Sequence, residues 1–336
     1  MIPIDVRKEI DFIKSSEVIS VIGWWDDSYF NSSLKKVYQT TAKKVSIVSY
    51  NESFKSKERV DIIKNILDEK NVEYYISADT STKFDKFFNP LTNIYFWKDT
   101  TTRDGVWEQF RSIKLFEESD YKSDFDKSIN GILSMRRTTP PREYLDSIID
   151  KESFNGIYRF VKTPHNTLRP VFEKKHLLND NSPVTEPNTK ELINEYKKTY
   201  ISFVMETSLS PPNNKSAKDS HFLNPLTEKT LIPFLTKTMP IVLGGKNFVR
   251  ELKDMGFYVW NEEFGFGDAD SLESGDFDKI DRFNDCINNF NKMDTTQISE
   301  LYNKNIDKIE HNHKLVSSLL FEDKDKIKWT YSHEDL

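Results

Sequence analysis

The chain has 336 residues, of which 37% are hydrophobic and 30% are charged, and its formal net charge is −6. This length accommodates two domains of ordinary size, and the composition is that of a soluble globular protein. No apolar run reaches the ~20 residues that a membrane-spanning helix needs, and the N-terminus has no signal-peptide core, so we expect a cytoplasmic protein. The negative net charge gives no global attraction to nucleic acid, although it allows a local basic groove.

The first 125 residues alternate strand-like and helix-like segments. Apolar runs of strand length occupy residues 18–25, 44–49, 72–77 and 93–97. Residues 33–43 and 58–70 carry apolar side chains at three- and four-residue spacing, which predicts amphipathic helices. Such alternation is typical of a parallel sheet with helices on its faces. We therefore expect a Rossmann-like domain at 1–125, without the Gly-x-Gly-x-x-Gly fingerprint.

A second alternating half is predicted at 126–295. Its strands are expected at 132–135, 156–161, 200–206 and 239–243, its helices at 140–149, from 227, and at 246–255, with a last apolar segment at 257–260. Residues 162–188 are rich in Pro, Asn and Lys, which predicts a long irregular connection. Helices at 276–291 and at 295–321 close the chain, and we expect residues 296–336 to pack back toward the first domain.

A single cysteine, Cys286, excludes an intramolecular disulfide and a cysteine-based zinc cluster. It lies at helical spacing with Phe283 and Phe290. The pattern predicts a small buried side chain on an apolar helix face.

Three consecutive segments of the second half carry residue types that bind phosphorylated ligands. An apolar strand ends at the carboxylate of Glu206, a helix opens with Thr227, Glu228 and Lys229, and a second apolar strand ends at Gly244 and Gly245. Strand ends, glycine turns and helix N-termini meet at one edge of a parallel sheet, where such sheets bind phosphates. The stretch therefore predicts a nucleotide site.

The same stretch resembles the donor-binding segment of the fucosyltransferase-like glycosyltransferases, which comprise the α-1,3-fucosyltransferase family and its phage and giant-virus relatives. That family has an apolar strand running into Glu-Asn-Ser, then Tyr-Ile-Thr-Glu-Lys, a helix, and Pro-Val-Val-Leu-Gly. This chain keeps the order with Glu206-Thr-Ser, Leu226-Thr-Glu-Lys and Pro240-Ile-Val-Leu-Gly. Thr207 stands where the family has Asn, and Leu226 where it has Tyr.

The resemblance covers roughly residues 130 to 290 and implies a fold and an activity. The fold is the GT-B type, with two Rossmann-like domains facing a cleft and a final helix that spans both. The activity is an inverting transfer of a sugar from a nucleotide-diphosphate sugar, as co-substrate, to an acceptor hydroxyl. No metal cofactor is expected.

The donor residues have implied roles and simpler alternatives. A Thr227 cap leaves helix N–H groups for an anion, Lys229 reaches a diphosphate oxygen, and Glu228 accepts hydrogen bonds from ribose or sugar hydroxyls. Glu206 lies beside the donor in the family. The alternatives are an ordinary capped helix with a solvated Glu-Lys pair, and an ion pair of Glu206 with a neighbouring lysine or arginine.

An arginine after the 132–135 strand is implied to stabilise the departing nucleotide diphosphate. Arg142 fits that place best, and Arg136 and Arg137 are the nearest alternatives. A permanently charged bidentate donor suits a leaving phosphate, where negative charge develops. The alternative is a solvated helix arginine.

The catalytic base is expected in the first half. An inverting transfer needs a base that deprotonates the incoming hydroxyl, and Asp26 or Asp27 is the candidate at the end of the first strand. Trp24 and Trp25 offer stacking surfaces for a sugar or a base. A helix-capping Asp pair beside a buried tryptophan is the alternative.

Two further patterns look like metal sites but are interpreted otherwise. Asp268 and Asp270 form an Asp-x-Asp motif in an acidic loop that does not end a strand, so they are expected to be solvated. His311 and His313 are two residues apart on a predicted helix, and therefore point to different faces.

The acceptor has two candidates. One is a glycan or a lipid-linked sugar, and the other is a hydroxymethylated pyrimidine in DNA, which would require a flipped base. Abundant Asn, Lys and Ile with only 10 Gly suggest an AT-rich genome and leave a phage source open, with the host cytoplasm as location. Lysines at 35, 36, 43 and 44 supply positive charge. The substitutions at Thr207 and Leu226 motivate a different class, a non-catalytic binding protein that retains a degenerate glycosyltransferase fold.

Overall fold

The structure is a computed structural model that describes residues 4–21, 27–49, 57–77, 87–88, 125–136, 139–161, 189–206, 228–245, 248–267, 276–321 and 329–330. The chain divides into two compact units. Unit 1 comprises Met1–Val106, Pro211–Leu226 and Ser317–Leu336, and unit 2 comprises Trp107–Ser210 and Thr227–Val316. Within the described ranges, no helix combines the length and the apolar character that crossing a membrane requires.

Unit 1 contains a parallel sheet with helices between its strands. The helices are α1 (Ile4–Lys14), α2 (Asp27–Gln39) and α3 (Lys57–Glu69), and the strands are β1 (Glu17–Val21), β2 (Lys44–Ser49), β3 (Glu73–Ser77), β4 (Phe87–Phe88) and β9 (Trp329–Thr330). The order in the sheet is β4-β3-β2-β1-β9, and every pairing is parallel. Its core is mainly aliphatic, with strand residues such as Ile19, Ile47 and Ile76 buried together with Leu34 and Ile63 of the helices.

Unit 2 contains a second parallel sheet. Its elements are β5 (Ile129–Arg136), α4 (Pro140–Ile148), β6 (Gly156–Val161), α5 (Thr189–Lys197), β7 (Thr199–Met205), α6 (Glu228–Leu235), β8 (Met239–Leu243), α7 (Phe248–Asp254), α8 (Asp276–Asn291), α9 (Thr295–Lys304) and α10 (Ile306–Phe321). The order in the sheet is β6-β5-β7-β8, and all pairs are parallel. The predicted α/β class with two parallel sheets is confirmed.

The core of unit 2 lies between one face of this sheet and α8. Alternate strand residues such as Leu133, Phe203 and Ile241 pack against aromatic side chains that include Phe283 and Phe290. A Cβ atom at Gly131 would lie 2.5 Å from Cζ of Phe290, so only glycine lets α8 approach β5 this closely.

Cys286 is 1% exposed in this core, which confirms its predicted burial. Burial disfavours the thiolate and raises the pKa of Cys286 to about 12.

Several predicted element bounds are wrong. The first strand is described as Glu17–Val21, and residues 22–25 of its predicted range lie outside the described residues. Helix α2 begins at Asp27 rather than near residue 33. This helix ends before Thr40, whose hydroxyl donates to Glu17 Oε2 at 2.6 Å. Helices α1 and α5 were not predicted, and the strand expected at 93–97 lies outside the described residues.

The last part of unit 2 has two further features. Residues 257–260, predicted as a last apolar segment, form neither a helix nor a strand, and the N–H of Trp260 donates to Pro240 O at 3.0 Å. The side-chain amide of Asn261 accepts from the N–H of Val242 at 3.0 Å and donates to the carbonyl oxygen of Val242 at 2.8 Å. This side chain and the main chain of Trp260 therefore both pair with the outer edge of β8. The helix expected at 295–321 is two helices, because Asn305 leaves helical geometry and its side chain bonds back to Leu301 O.

Candidate functional site

The strand order of unit 2 creates a change of direction between β5 and β7. The chain continues from β5 to β6 on one side, then returns to β7 on the other side of β5. In open parallel sheets, ligands bind outside the carboxyl ends of two such strands, because the following connections leave in opposite directions and a crevice remains. We call this region, formed by the ends of β5, β7 and β8 and the first turns of α4 and α6, the carboxyl edge.

Glu206 follows β7 directly and is the buried acid of the carboxyl edge. Its Oε1 accepts a hydrogen bond from Thr230 Oγ1 at 2.7 Å, and its Oε2 lies 3.8 Å from Lys229 Nζ. Its N–H donates to Leu243 O at 2.9 Å, which ties it to the end of β8. The alternative predicted for Glu206, an ion pair with a neighbouring lysine, is therefore present. It joins the end of β7 to the first turn of α6.

Thr230 was missed by sequence reasoning. It is fully buried in the first turn of α6, and its hydroxyl holds the carboxylate of Glu206. Its position directly after the Thr-Glu-Lys motif is the signal that could have found it.

Arg142 lies on α4 and is 1% exposed, so the alternative of a solvated arginine is wrong. Its Nη2 donates to the carbonyl oxygen of Met205 at 3.0 Å. Arg142, on the helix that follows β5, and Glu206, directly after β7, thus both lie at the carboxyl end of β7. Arg136 ends β5, whereas Arg137 lies outside the described residues.

The two helix starts at this edge differ as anion sites. Helix α4 opens with Pro140 and Pro141, which have no N–H, and its N-cap Thr139 makes no side-chain cap hydrogen bond. Helix α6 opens with Glu228, Lys229 and Thr230, none of which is a proline, so its first turn has a backbone N–H at each of these positions. The start of α6 therefore has more donors for an anion, together with a lysine side chain. Thr227 lies outside the described residues.

Gly244 and Gly245 follow β8 as predicted, and Gly244 has a steric role. A Cβ atom at Gly244 would lie 2.2 Å from Cδ1 of Phe248. The ring of Phe248 therefore requires glycine there, independently of any ligand.

The candidates of unit 1 are described only in part. Asp27 begins α2, its side chain is 86% exposed, and it forms an ion pair with the buried guanidinium of Arg59. Asp26, Trp24 and Trp25 lie outside the described residues.

The opposite end of the unit 2 sheet holds charges that the sequence did not reveal. We call it the amino edge, formed by the residues that precede β5, β7 and β8. Lys127 Nζ donates to Thr199 O at 2.8 Å, to Thr236 O at 2.9 Å and to Thr238 Oγ1 at 3.3 Å. Burial and the nearby charge of Lys237 lower the pKa of Lys127 well below its usual value.

His313 and Lys237 complete the amino edge at the end of α6. His313 is buried, and its Nδ1 donates to Leu235 O at 2.9 Å. Lys237 pairs with Glu310 at 2.8 Å. Burial, followed by the charge of Lys237, lowers the pKa of His313. His313 at Leu235 O and Lys127 at Thr236 O thus satisfy carbonyl oxygens that the end of α6 leaves unbonded.

His311 bonds to a different carbonyl oxygen from His313, that of Gly256 at 2.9 Å. Among the residues that the structure describes, no three His, Cys, Asp or Glu side chains are grouped so as to hold a metal ion. Asp268 and Asp270 lie outside those residues.

No protein-family model, curated protein or solved structure matches this chain. The candidate site therefore rests on its own geometry.

Proposed function

We propose that the protein is a glycosyltransferase that binds a nucleotide-diphosphate sugar at the carboxyl edge of unit 2 and transfers the sugar to an acceptor hydroxyl. The observation that carries the proposal is the cluster of Glu206, Lys229 and Thr230, placed where β7 ends and α6 begins. It lies at the change of direction of a parallel sheet, where nucleotides bind in open α/β sheets.

The charges of the cluster suit a diphosphate and a hydroxyl-rich ligand together. The N–H groups of the first turn of α6 and the ammonium of Lys229 favour an anion. The carboxylate of Glu206 is an acceptor for ribose or sugar hydroxyls. Arg142, fixed at the end of β7, is the proposed cation for the departing diphosphate, where it would stabilise the charge that develops.

The acceptor side of the proposal belongs to unit 1. Asp26 or Asp27 is the proposed base, and a GT-B arrangement is the proposed relation of the two units.

A glycan and a hydroxymethylated pyrimidine in DNA both remain proposed acceptors. Titration of duplex DNA at several salt concentrations distinguishes them, because binding to DNA weakens steeply with salt.

The test of the donor site is a thermal-shift and calorimetric screen with UDP, GDP, dTDP, CMP and ADP and their sugars. A ligand at ~100 times its dissociation constant should add roughly 2.7 kcal/mol of stability. Lys229→Ala should weaken binding at least about tenfold. Lys253→Ala is the matched control, since Lys253 forms a similar pair with Glu262 at 2.6 Å and should bind like wild type. If none of these nucleotides or nucleotide sugars binds, the proposal is wrong.

The alternative, a binding protein without activity, is favoured by one observation. Glu206 and Arg142 already have partners within the fold, at Thr230, Lys229 and Met205. This alternative predicts nucleotide-sugar binding without acceptor-dependent release of the nucleoside diphosphate. A turnover assay with glycan acceptors and with hydroxymethylated DNA separates the two functions.

A further inference from the structure

The ion pair at the carboxyl edge places the negative charge of Glu206 beside Lys229. In the proposed function, Lys229 binds the diphosphate. Lys229 Nζ lies 3.8 Å from Glu206 Oε2, and the side chains are 20% and 5% exposed. The carboxylate is held in place, because Thr230 donates to its other oxygen at 2.7 Å and the N–H of Glu206 bonds to Leu243 O. It is not a freely rotating surface charge.

A phosphate that bonds to Lys229 would stand next to this carboxylate. Two negative charges at such a distance repel each other, and solvent screens them less in a buried site than at the surface. A carboxylate offers only acceptors, so it cannot hydrogen-bond to an ionised phosphate, but it accepts readily from a hydroxyl group. A ligand with hydroxyls beside its phosphates offsets the repulsion, whereas a simple anion does not.

We propose that Glu206 is a specificity determinant, which selects ligands that carry hydroxyl groups beside a diphosphate and rejects simple anions. The identity of the selected ligand, a nucleotide-diphosphate sugar, rests on the proposed function. The rejection of simple anions follows from the arrangement of Glu206 and Lys229 alone. Glu206 thereby keeps inorganic phosphate and pyrophosphate from occupying the lysine.

The test compares two probes by isothermal titration calorimetry, inorganic pyrophosphate and the nucleotide sugar that binds best in the screen. Glu206→Gln keeps the shape of the side chain and removes its charge. We expect it to raise pyrophosphate affinity on the order of tenfold, equivalent to about 1.4 kcal/mol, and not to raise nucleotide-sugar affinity. In the double variant Glu206→Gln/Lys229→Gln, the gain for pyrophosphate should disappear, because the gained affinity acts through Lys229.

The outcomes separate this inference from the proposed function. Unchanged or weakened pyrophosphate binding by Glu206→Gln overturns the specificity role, as does an equal gain for both probes. If no nucleotide binds wild type but Glu206→Gln still gains pyrophosphate affinity, the proposed function fails and the rejection of anions stands.

A second variant covers the case in which Glu206→Gln does not fold. Thr230→Val keeps both charges but removes the hydrogen bond that holds the carboxylate in place. We expect a smaller gain in pyrophosphate affinity, about two- to threefold, and Thr230→Ser should bind like wild type. Equal affinities of Thr230→Val and wild type would contradict the role.

Discussion

The two edges of the unit 2 sheet both contain buried charges, but they use them differently. At the amino edge, Lys127 and His313 donate to main-chain carbonyl oxygens. At the carboxyl edge, Lys229 and Thr230 at the start of α6 interact with the carboxylate of Glu206. The contrast holds for the two ends of α6, since Arg142 at the carboxyl edge donates to Met205 O and Lys237 at the amino edge pairs with Glu310. The difference follows from helix polarity, since helices between parallel strands end at the amino edge with unbonded carbonyls and begin at the carboxyl edge with unbonded N–H groups.

The comparison shows how lysines of one sheet differ in role. A lysine at the amino edge neutralises helix ends and is part of the fold. A lysine at the carboxyl edge adds to the positive end of a helix and is suited to an anion. Substitutions at the amino edge should therefore change stability, and those at the carboxyl edge should change ligand binding.

The largest expected effect is that of Lys127→Met. The change removes a charged donor from the carbonyl oxygens of Thr199 and Thr236, although Thr199 O still accepts from the hydroxyl of Thr238 at 3.2 Å. Each hydrogen bond to a charged group contributes ~1.5–3 kcal/mol. We expect a loss of about 2–4 kcal/mol in the free energy of unfolding, measured by chemical denaturation, with unchanged nucleotide affinity in the fraction that remains folded. Lys198→Met, at an exposed neighbouring position, should cost less than about 0.5 kcal/mol.

Lys229→Met is the direct counterpart of Lys127→Met at the other edge. It removes an ion pair with a nitrogen–oxygen distance of 3.8 Å and takes one partner from the buried carboxylate of Glu206, so it should cost ~1–3 kcal/mol of stability. Unlike Lys127→Met, it should also weaken nucleotide binding. If Lys229→Met leaves nucleotide affinity unchanged, the contrast between the edges is wrong.

Gly244 is an exception to the contrast between the edges, because it lies at the carboxyl edge but is required for packing. Gly244→Ala introduces a Cβ atom 2.2 Å from the Phe248 ring, and overpacking of this kind costs roughly 1–3 kcal/mol. Denaturation of the single variant and of Gly244→Ala in a Phe248→Leu background measures it. The cost of the alanine should shrink in that background, and an unchanged cost would show that the ring is not its cause.

The smallest expected effect is a pH dependence at the amino edge. Burial and Lys237 lower the pKa of His313, so the unfolded chain binds a proton more readily than the folded protein does. Stability should therefore fall as the pH drops below about 6.5, by at most about 1.4 kcal/mol per pH unit for this one group.

Denaturation midpoints between pH 5 and 8 measure this slope. His313→Gln should reduce it, whereas His311→Gln, at an exposed position, should retain it. An equal slope in wild type and His313→Gln would assign the dependence to other groups.

Much of the fold was predictable because local patterns carry it. The bounds of β2, β6 and α8 agree with the sequence prediction, since each is a strand-length apolar run or a long amphipathic segment. The bounds of α2 and the break at Asn305 were not predictable from periodicity, because side-chain hydrogen bonds decide where these helices stop. The pairing at the outer edge of β8 was not predicted either, because the side chain of Asn261 and the main chain of Trp260 supply it without forming a strand.

Less of the site was predictable. The sequence identified Glu206, Lys229 and Arg142 from residue types at the ends of predicted strands and the starts of predicted helices. It did not identify Thr230. Its alternative for Arg142, a solvated helix arginine, was wrong. Helical periodicity does not tell whether an arginine faces the solvent or a strand end.

By itself, the sequence determined the α/β class, the parallel sheets and the residue types that gather at strand ends, because these follow from local periodicity. Only the tertiary structure decided the strand order, the pairing of Glu206 with Thr230 and Lys229, and the use of Lys127. The three acceptors of Lys127 lie 72, 109 and 111 residues away in the chain. Contacts at such separations depend on which strands become neighbours, and no local pattern specifies them.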